Sequence, residues 1–223
     1  DAILLFRMGD FFETFDEDAR ILSRELEIAL TSREMGRGQR IPLAGIPYHA
    51  LQPYLAKLIK KGYKVAICEQ TSDPAQSKGL VDREVVRVVT PGTVVEDALL
   101  EGKTNNYLAS VVVDEQQAGL SYVDITTSEF STSQFPLDHL AVELARLAPS
   151  ELLVPEQQDA LSEQAGARVT PLEADAFDLY WATETLLGHF GVVSLEPYGC
   201  DGMPLAVRAA GAIVDYLGRH HKM

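Results

Sequence analysis

The strongest constraint on this chain is the order in which its apolar residues change spacing. Alternation typical of strands gives way to helical spacing and returns, and the pattern lapses between about residues 94 and 105. Strands and helices mixed in this way predict an α/β fold, and one lapse in 223 residues predicts two cores. Ile3 to Phe15 is dense in apolar residues and reads as extended chain with a bend or bulge at Gly9-Asp10. Asp16 suits a helix N-cap, followed by Glu17 and Asp18, with Ala19, Leu22, Leu26 and Ala29 at helical spacing. Arg33 to Arg40, with Gly36 and Gly38 among three arginines, reads as an exposed basic loop. A second helix is expected from about Ala50 to Lys61. Its inward residues are Leu51, Leu55, Leu58 and Ile59, and Gly62 stops it. Strands are expected at Tyr63 to Glu69 and at Glu84 to Val89.

Thr90-Pro91-Gly92-Thr93 is a turn cluster, and the aperiodic stretch after it places a boundary near 94–105. Beyond it, Leu108 to Val113, Gly119 to Ile125 and Glu129 to Phe135 read as a strand meander. Helices are expected at Leu137 to Leu147, about Ala176 to Leu187, and Pro204 to Leu217, with a strand at Leu152 to Val154. No internal repeat or low-complexity tract is visible.

Charge divides the chain in the same place. Residues 1–94 hold 13 bases and 13 acids, whereas residues 95–223 hold 6 bases and 20 acids, so the whole net charge of −14 lies in the second part. One part can approach phosphates and the other should be repelled by them. With 46% hydrophobic and 23% charged residues and no apolar run near the roughly 20 that span a bilayer, the expectation is a soluble protein without a membrane partner. Cys68 and Cys200 lack paired spacing, which points to a reducing, cytoplasmic setting. The start at Asp1 rather than Met reads as a piece of something longer.

The most informative segment is Met8-Gly9-Asp10-Phe11-Phe12-Glu13-Thr14-Phe15. Side chains alternate in extended chain, so Phe11 and Glu13 share one side and Phe12 and Thr14 the other. An aromatic ring two residues from a carboxylate, beside a glycine bend, can enter a minor groove and wedge between base steps. The carboxylate is disfavoured beside phosphates and helps only where a mispaired base offers it a proton or a donor. Taken alone, the same pattern also fits a core phenylalanine beside a solvated acid.

The run FRMGDFFETFDEDA, followed by IPLAGIPYHALQPYLAKLIKKGYKVAICEQTSDPAQSKGLVDREVVRVVTPGT, resembles the mismatch-recognition domain of the bacterial MutS family in order and spacing. NNYLASVVVD, LSYVDITTSEF, LARLAPSELLVPE and PLAVRAAGAIVDYLGR resemble that family's connector domain. The resemblance implies an α/β fold in two parts. A mixed-sheet mismatch-recognition domain over 1–94 and a linker over 95–105 would precede a ribonuclease H-like connector over 106–223. It implies that Phe11 stacks on a mispaired base and Glu13 hydrogen-bonds to it, with Met8 and Gly9 alongside. Phe12 stands where the family usually has tyrosine. Arg33 and Arg83 become candidates for phosphate or sugar contacts, an ordinary solvated arginine being the other reading. Lys57, Lys60 and Lys61 fit either DNA contact or complementation of the helix dipole. The implied partners are mismatched double-stranded DNA, MutL and, in the full-length protein, a second MutS copy.

No G-x-x-x-x-G-K-[ST] occurs, so no nucleotide site is expected here; the family's ATPase, with ATP and Mg²⁺, belongs to the full-length protein. His49 reads as a packing or capping residue at a helix start. His189, His220, His221 and Cys200 lack metal-ligand spacing, and no metal is expected. A ribonuclease H-like fold raises an alternative, a metal-dependent nuclease using Asp114, Asp124 and Glu129, although their expected positions do not converge.

Overall fold

The computed structural model describes residues 2–34, 38–71, 82–94, 105–161 and 167–220. Their contacts form two units, one within residues 2–90 and the other joining 91–94 to 105–219. Both are α/β with mixed sheets, and five α-helices are present among the described residues. None of the described helices is long and apolar enough to cross a membrane.

The first unit is built on strands β1 (Ile3–Met8), β2 (Phe11–Phe15), β3 (Thr31–Glu34), β4 (Arg40–Pro47), β5 (Val65–Gln70) and β6 (Arg83–Val89). They lie in the order β3-β4-β2-β1-β5-β6, antiparallel except for β1 beside β5. Two helices, α1 (Asp16–Leu26) and α2 (Leu51–Lys60), supply the buried stripes Ala19, Leu22, Leu26 and Leu55, Leu58, Ile59. Alternate strand residues are buried with them: Ile3 and Leu5 on β1, Phe12 and Thr14 on β2, Ala44 and Ile46 on β4. The intervening set, Leu4, Phe6, Phe11, Glu13, Phe15 and Leu43, is only half-buried or exposed. Along β1, β2 and β4 the sheet therefore has one face toward its helices and one face left open.

Several local expectations change. The segment from Ile3 to Phe15 is not one bent strand but the hairpin β1–β2, closed by Gly9-Asp10. Arg33 and Arg40 lie not in a loop but on paired strands, Arg33 opposite Ile41 and Glu34 opposite Arg40, while Gly36 and Arg37 lie outside the described residues. Asp16 is the first helical residue rather than the cap, with φ +52°, and the α1 carboxyl that finds a backbone partner is Asp18, which accepts from Leu4 N–H at 3.0 Å. Left-handed Glu27 (φ 55°) ends α1, so Ala29 lies beyond the helix and is exposed.

The second unit is a three-layer arrangement. Its strands β7 (Leu108–Val113), β8 (Gln117–Asp124), β9 (Glu129–Pro136), β10 (Glu151–Pro155) and β11 (Arg168–Leu172) take the order β11-β10-β7-β8-β9. The meander β7-β8-β9 is antiparallel, and β10 runs parallel to both β7 and β11. Helix α3 (Leu140–Leu147) covers one face through Leu140, Leu144 and Leu147 against Ala109, Val111, Leu120, Leu152 and Val154. Helix α5 (Pro204–His220) covers the other, with Ile213 and Tyr216 against Leu108, Val123 and Leu153 and Leu205 and Ala209 against Val112. Helix α4 (Leu179–Phe190) packs on α5 through Ala182 and Leu186.

The turn cluster expected inside the first domain is gripped in part by the second unit. Pro91–Val94 is buried, Gly92 N–H donates to Glu151 Oε2 at 3.1 Å, and Asn106 Nδ2 donates to Pro91 O at 3.0 Å. Of the expected linker at 95–105, only Asn105 is among the described residues.

Candidate nucleic-acid interface

The hairpin β1–β2 presents the segment that the sequence singled out. Met8 and Phe11 form its last pair, so Gly9-Asp10 is a two-residue loop, and Gly9 has φ +60°. A left-handed first loop residue followed by an ordinary one is the geometry that favours glycine in that position. Tyr48 N–H donates to Asp10 O at 2.8 Å, fixing the loop against the chain leaving β4.

Phe11 opens β2 and is 46% exposed, whereas its neighbour Phe12 is fully buried. Glu13 lies on the Phe11 side, opposite Gly45 of β4 and Phe6 of β1. Its Oε2 accepts from Arg33 Nη1 at 3.4 Å, with side-chain exposures of 21% and 50%. Met8 is half-buried at the hairpin end and Gly9 is exposed in the loop. Met8, Gly9, Phe11 and Glu13 thus share the hairpin end and one face of the first sheet, and Arg33, opposite Ile41 near the other end of β4, reaches Glu13 from β3.

Arg83 stands apart from that group. It begins β6, and its Nε donates to Arg7 O at 3.2 Å. Lys61 Nζ donates to Glu25 O at 2.8 Å and pairs with Glu25 Oε2 at 3.0 Å, tying the end of α2 to α1. With Arg24 and Tyr63 also donating, the hydrogen bonds led by Lys61 hold the Glu25 carboxyl down at about 2. Lys57 lies over the Tyr54 ring at 5.6 Å, and Lys60 closes α2 on its exposed side. His49 is exposed in a single 3-10 turn before α2.

Three residues of the hairpin's support escape a reading of the sequence. The Arg7 guanidinium stacks 3.5 Å from the Tyr48 ring centroid and donates to Gly9 O, while Gln70 Nε2 donates to Arg7 O at 3.3 Å. Arg7, Tyr48 and Gln70 lie on three different elements, and no local motif joins them; strand pairing alone brings them together.

The acids of the nuclease alternative are engaged elsewhere. Asp114 sits in a turn and accepts from Gln116 and Gln117 N–H groups, which lower its pKa. Asp124 is buried; burial alone would raise its pKa, yet hydrogen bonds from Thr126, Asn106 and Thr127 bring it below the usual carboxylate value. Glu129, on β9, accepts from Tyr107 OH at 3.1 Å. Among the described residues no three His, Cys, Asp or Glu side chains gather as a metal site. His189 packs edge-on to Phe190, Cys200 is half-buried with its thiol pKa raised by that burial, and His221 lies outside the described residues.

Comparison with known proteins decides the lineage. Residues 1–98 match the family model of MutS domain I, and residues 106–222 match that of MutS domain II. The chain belongs to the MutS family. It is similar to the DNA mismatch repair protein MutS of Dehalococcoides mccartyi strain CBDB1, 53% identical over 223 residues, which is all of this chain and 26% of that protein. The MutS proteins of Methanococcoides burtonii and Halothermothrix orenii are 47% and 44% identical, each over 97% of this chain and about a quarter of their own length. This chain therefore spans about a quarter of the curated MutS relatives it matches. The Phe11 hairpin falls in the part matching MutS domain I, and Asp114, Asp124 and Glu129 fall in the part matching MutS domain II.

Proposed function

We propose that this chain reads mispaired bases in duplex DNA, with Phe11 as the stacking ring and Glu13 as the hydrogen-bonding group. The observation that carries the reading is the division of β2. Phe11 and Glu13 lie toward the open face at a hairpin end, while Phe12 and Thr14 are buried beneath them. A ring held at the tip of a tight hairpin can pass into a minor groove with little backbone movement. A mispair, being poorly stacked, is the step most easily opened and bent. The first part's balance of 13 bases and 13 acids permits approach to phosphates, which the −14 of the remainder would oppose. Met8 and Gly9 flank the entering ring, Arg33 can reach a phosphate, and Arg83 supports the hairpin through Arg7 O.

Fluorescence anisotropy of the full-length protein on matched and G·T duplexes tests this. Stacking of a base on an aromatic side chain contributes about 1–3 kcal/mol, so Phe11→Ala is expected to abolish the preference for the mispair. Glu13→Ala is expected to narrow the preference chiefly by letting matched duplex bind better. An unchanged preference in Phe11→Ala overturns the reading.

The second unit suits a protein partner. Tyr180 and Trp181 are each 63% exposed at the start of α4, beside a cleft of about 240 Å³ lined by Asp175, Trp181, Thr185, Asp215 and Arg219. An exposed aromatic pair in an acidic unit is a protein-docking chemistry, and MutL is the partner we assign to it. Loss of MutL pull-down by full-length Trp181→Ala supports this, and undiminished capture counts against it. In the same reading ATP hydrolysis with Mg²⁺ and homodimer formation belong to the full-length protein, working in the cytoplasm.

A further inference from the structure

Among the described residues, the one ion pair that touches the proposed reading group is Arg33–Glu13. Arg33 is on β3 and Glu13 on β2, with β4 between them, so the guanidinium spans a whole intervening strand to reach the carboxylate. Glu13 lies opposite Gly45 of β4, which adds no side chain beside the carboxylate, and Arg33 lies opposite Ile41, four residues away, so the arginine reaches along the strand as well as across it. Arg33 is half-exposed on an all-exposed edge strand and makes this contact at 3.4 Å. A pair so solvated opens readily.

We propose that Arg33 and Glu13 exchange partners when a mispair is read. Without a mispair, each neutralises the other: Arg33 is withheld from phosphate, and the Glu13 carboxylate is prevented from repelling the duplex outright. When a mispaired base offers a donor, Glu13 turns to the base and Arg33 is released. A free guanidinium at the edge of a sheet lying on DNA takes a phosphate oxygen, which replaces the carboxylate as its charge-assisted partner. Phosphate grip is thereby coupled to base reading, making Arg33 a specificity-determining residue although it touches no base. A matched duplex offers Glu13 no donor, so the ion pair stays closed and the extra phosphate contact is not made. The proposal rests on Glu13 being the reading group. It also gives a physical reason for Glu13→Ala to favour matched DNA: removing the carboxylate frees Arg33 on every duplex.

Counterion release makes the exchange measurable, because each phosphate contact adds about one to the slope of log K against log salt. Salt titrations of the full-length protein on G·T and matched duplexes, with Arg33→Ala, Glu13→Ala and the double variant, provide the test. Arg33→Ala is expected to lower the slope by about one on the G·T duplex and to leave it unchanged on matched DNA. Glu13→Ala should raise the matched-duplex slope by about one, and adding Arg33→Ala should remove that gain. An equal loss on both duplexes in Arg33→Ala would make Arg33 an ordinary phosphate contact, and no loss on either would make it a bystander; both overturn the exchange. Phe11→Ala run in parallel separates the two claims. If it keeps its mismatch preference, the reading itself has failed, whereas if it loses preference while Arg33→Ala behaves alike on both duplexes, only the exchange has failed.

Discussion

Glu13 in the first unit and Glu151 in the second are both strand carboxyls in mixed sheets, yet their surroundings are opposite. Glu151 is fully buried and accepts from Gly92 N–H at 3.1 Å, Thr170 Oγ1 at 2.7 Å and Tyr216 OH at 2.8 Å, joining the segment at 91–94, β11 and α5. Glu13 is partly exposed, and among the described residues its side-chain partner is an arginine that must reach across a strand. The difference follows from the layers. Helices cover both faces of the second sheet, so a polar group placed there must be satisfied internally. The first sheet is covered on one face along β1, β2 and β4, and the other is where a group can wait for an outside partner. Whether a strand carboxyl's hydrogen bonds are already made thus separates Glu151 from Glu13, the proposed reader.

Truncating neighbouring residues of β2 should give the largest contrast. Phe12→Ala empties a fully buried site and is expected to cost about 3–5 kcal/mol in chemical denaturation. Phe11→Ala, one residue away, should stay within about 0.5 kcal/mol of the parent. Equal losses would mean that Phe11 belongs to the core. Next in size is Glu151→Ala, which strands at least three donors and should cost about 3 kcal/mol. Glu13→Ala should be nearly silent in the same unfolding experiment, and a loss comparable to that of Glu151→Ala would contradict the distinction.

A smaller effect concerns acid. Glu25 is held at about 2 against an ordinary 4.5 by Lys61, Arg24 and Tyr63, so its folded form binds a proton less readily than its unfolded form. Its stabilising contribution is therefore complete above about pH 4.5 and fades as the pH falls toward 2. The difference in thermal midpoint between the parent and Glu25→Gln should shrink across that interval and be constant above it. A difference independent of pH would remove Glu25 from the α1–α2 junction.

Much of this was legible in the sequence, and the gaps have physical causes. The period of the apolar residues located all five α-helices and most of the strands, because each buries a stripe or alternate face, but β4 escaped because Pro42, Gly45 and Pro47 obscure the alternation in its sequence. Strand β3 escaped because Thr31-Ser32-Arg33-Glu34 is wholly exposed and carries no apolar signal; pairing with β4 alone makes it a strand. Strand β11 escaped for a related reason. It is an edge strand that tolerates Pro171, and its Thr170 faces Glu151 rather than a hydrocarbon core. The alternation of Phe11 and Glu13 against Phe12 and Thr14 could be read from residue spacing. The Arg33–Glu13 pair could not, since strand order, not sequence distance, brings these residues together.

The proposed stacking of the Phe11 ring on a mispaired base is reported directly by 2-aminopurine placed in the mispair. Full-length protein with Phe11 is predicted to change the probe's fluorescence at a mispair and leave it nearly unchanged in a matched site, with Phe11→Ala losing the mispair response. The same response from Phe11→Ala at saturating protein would contradict the account.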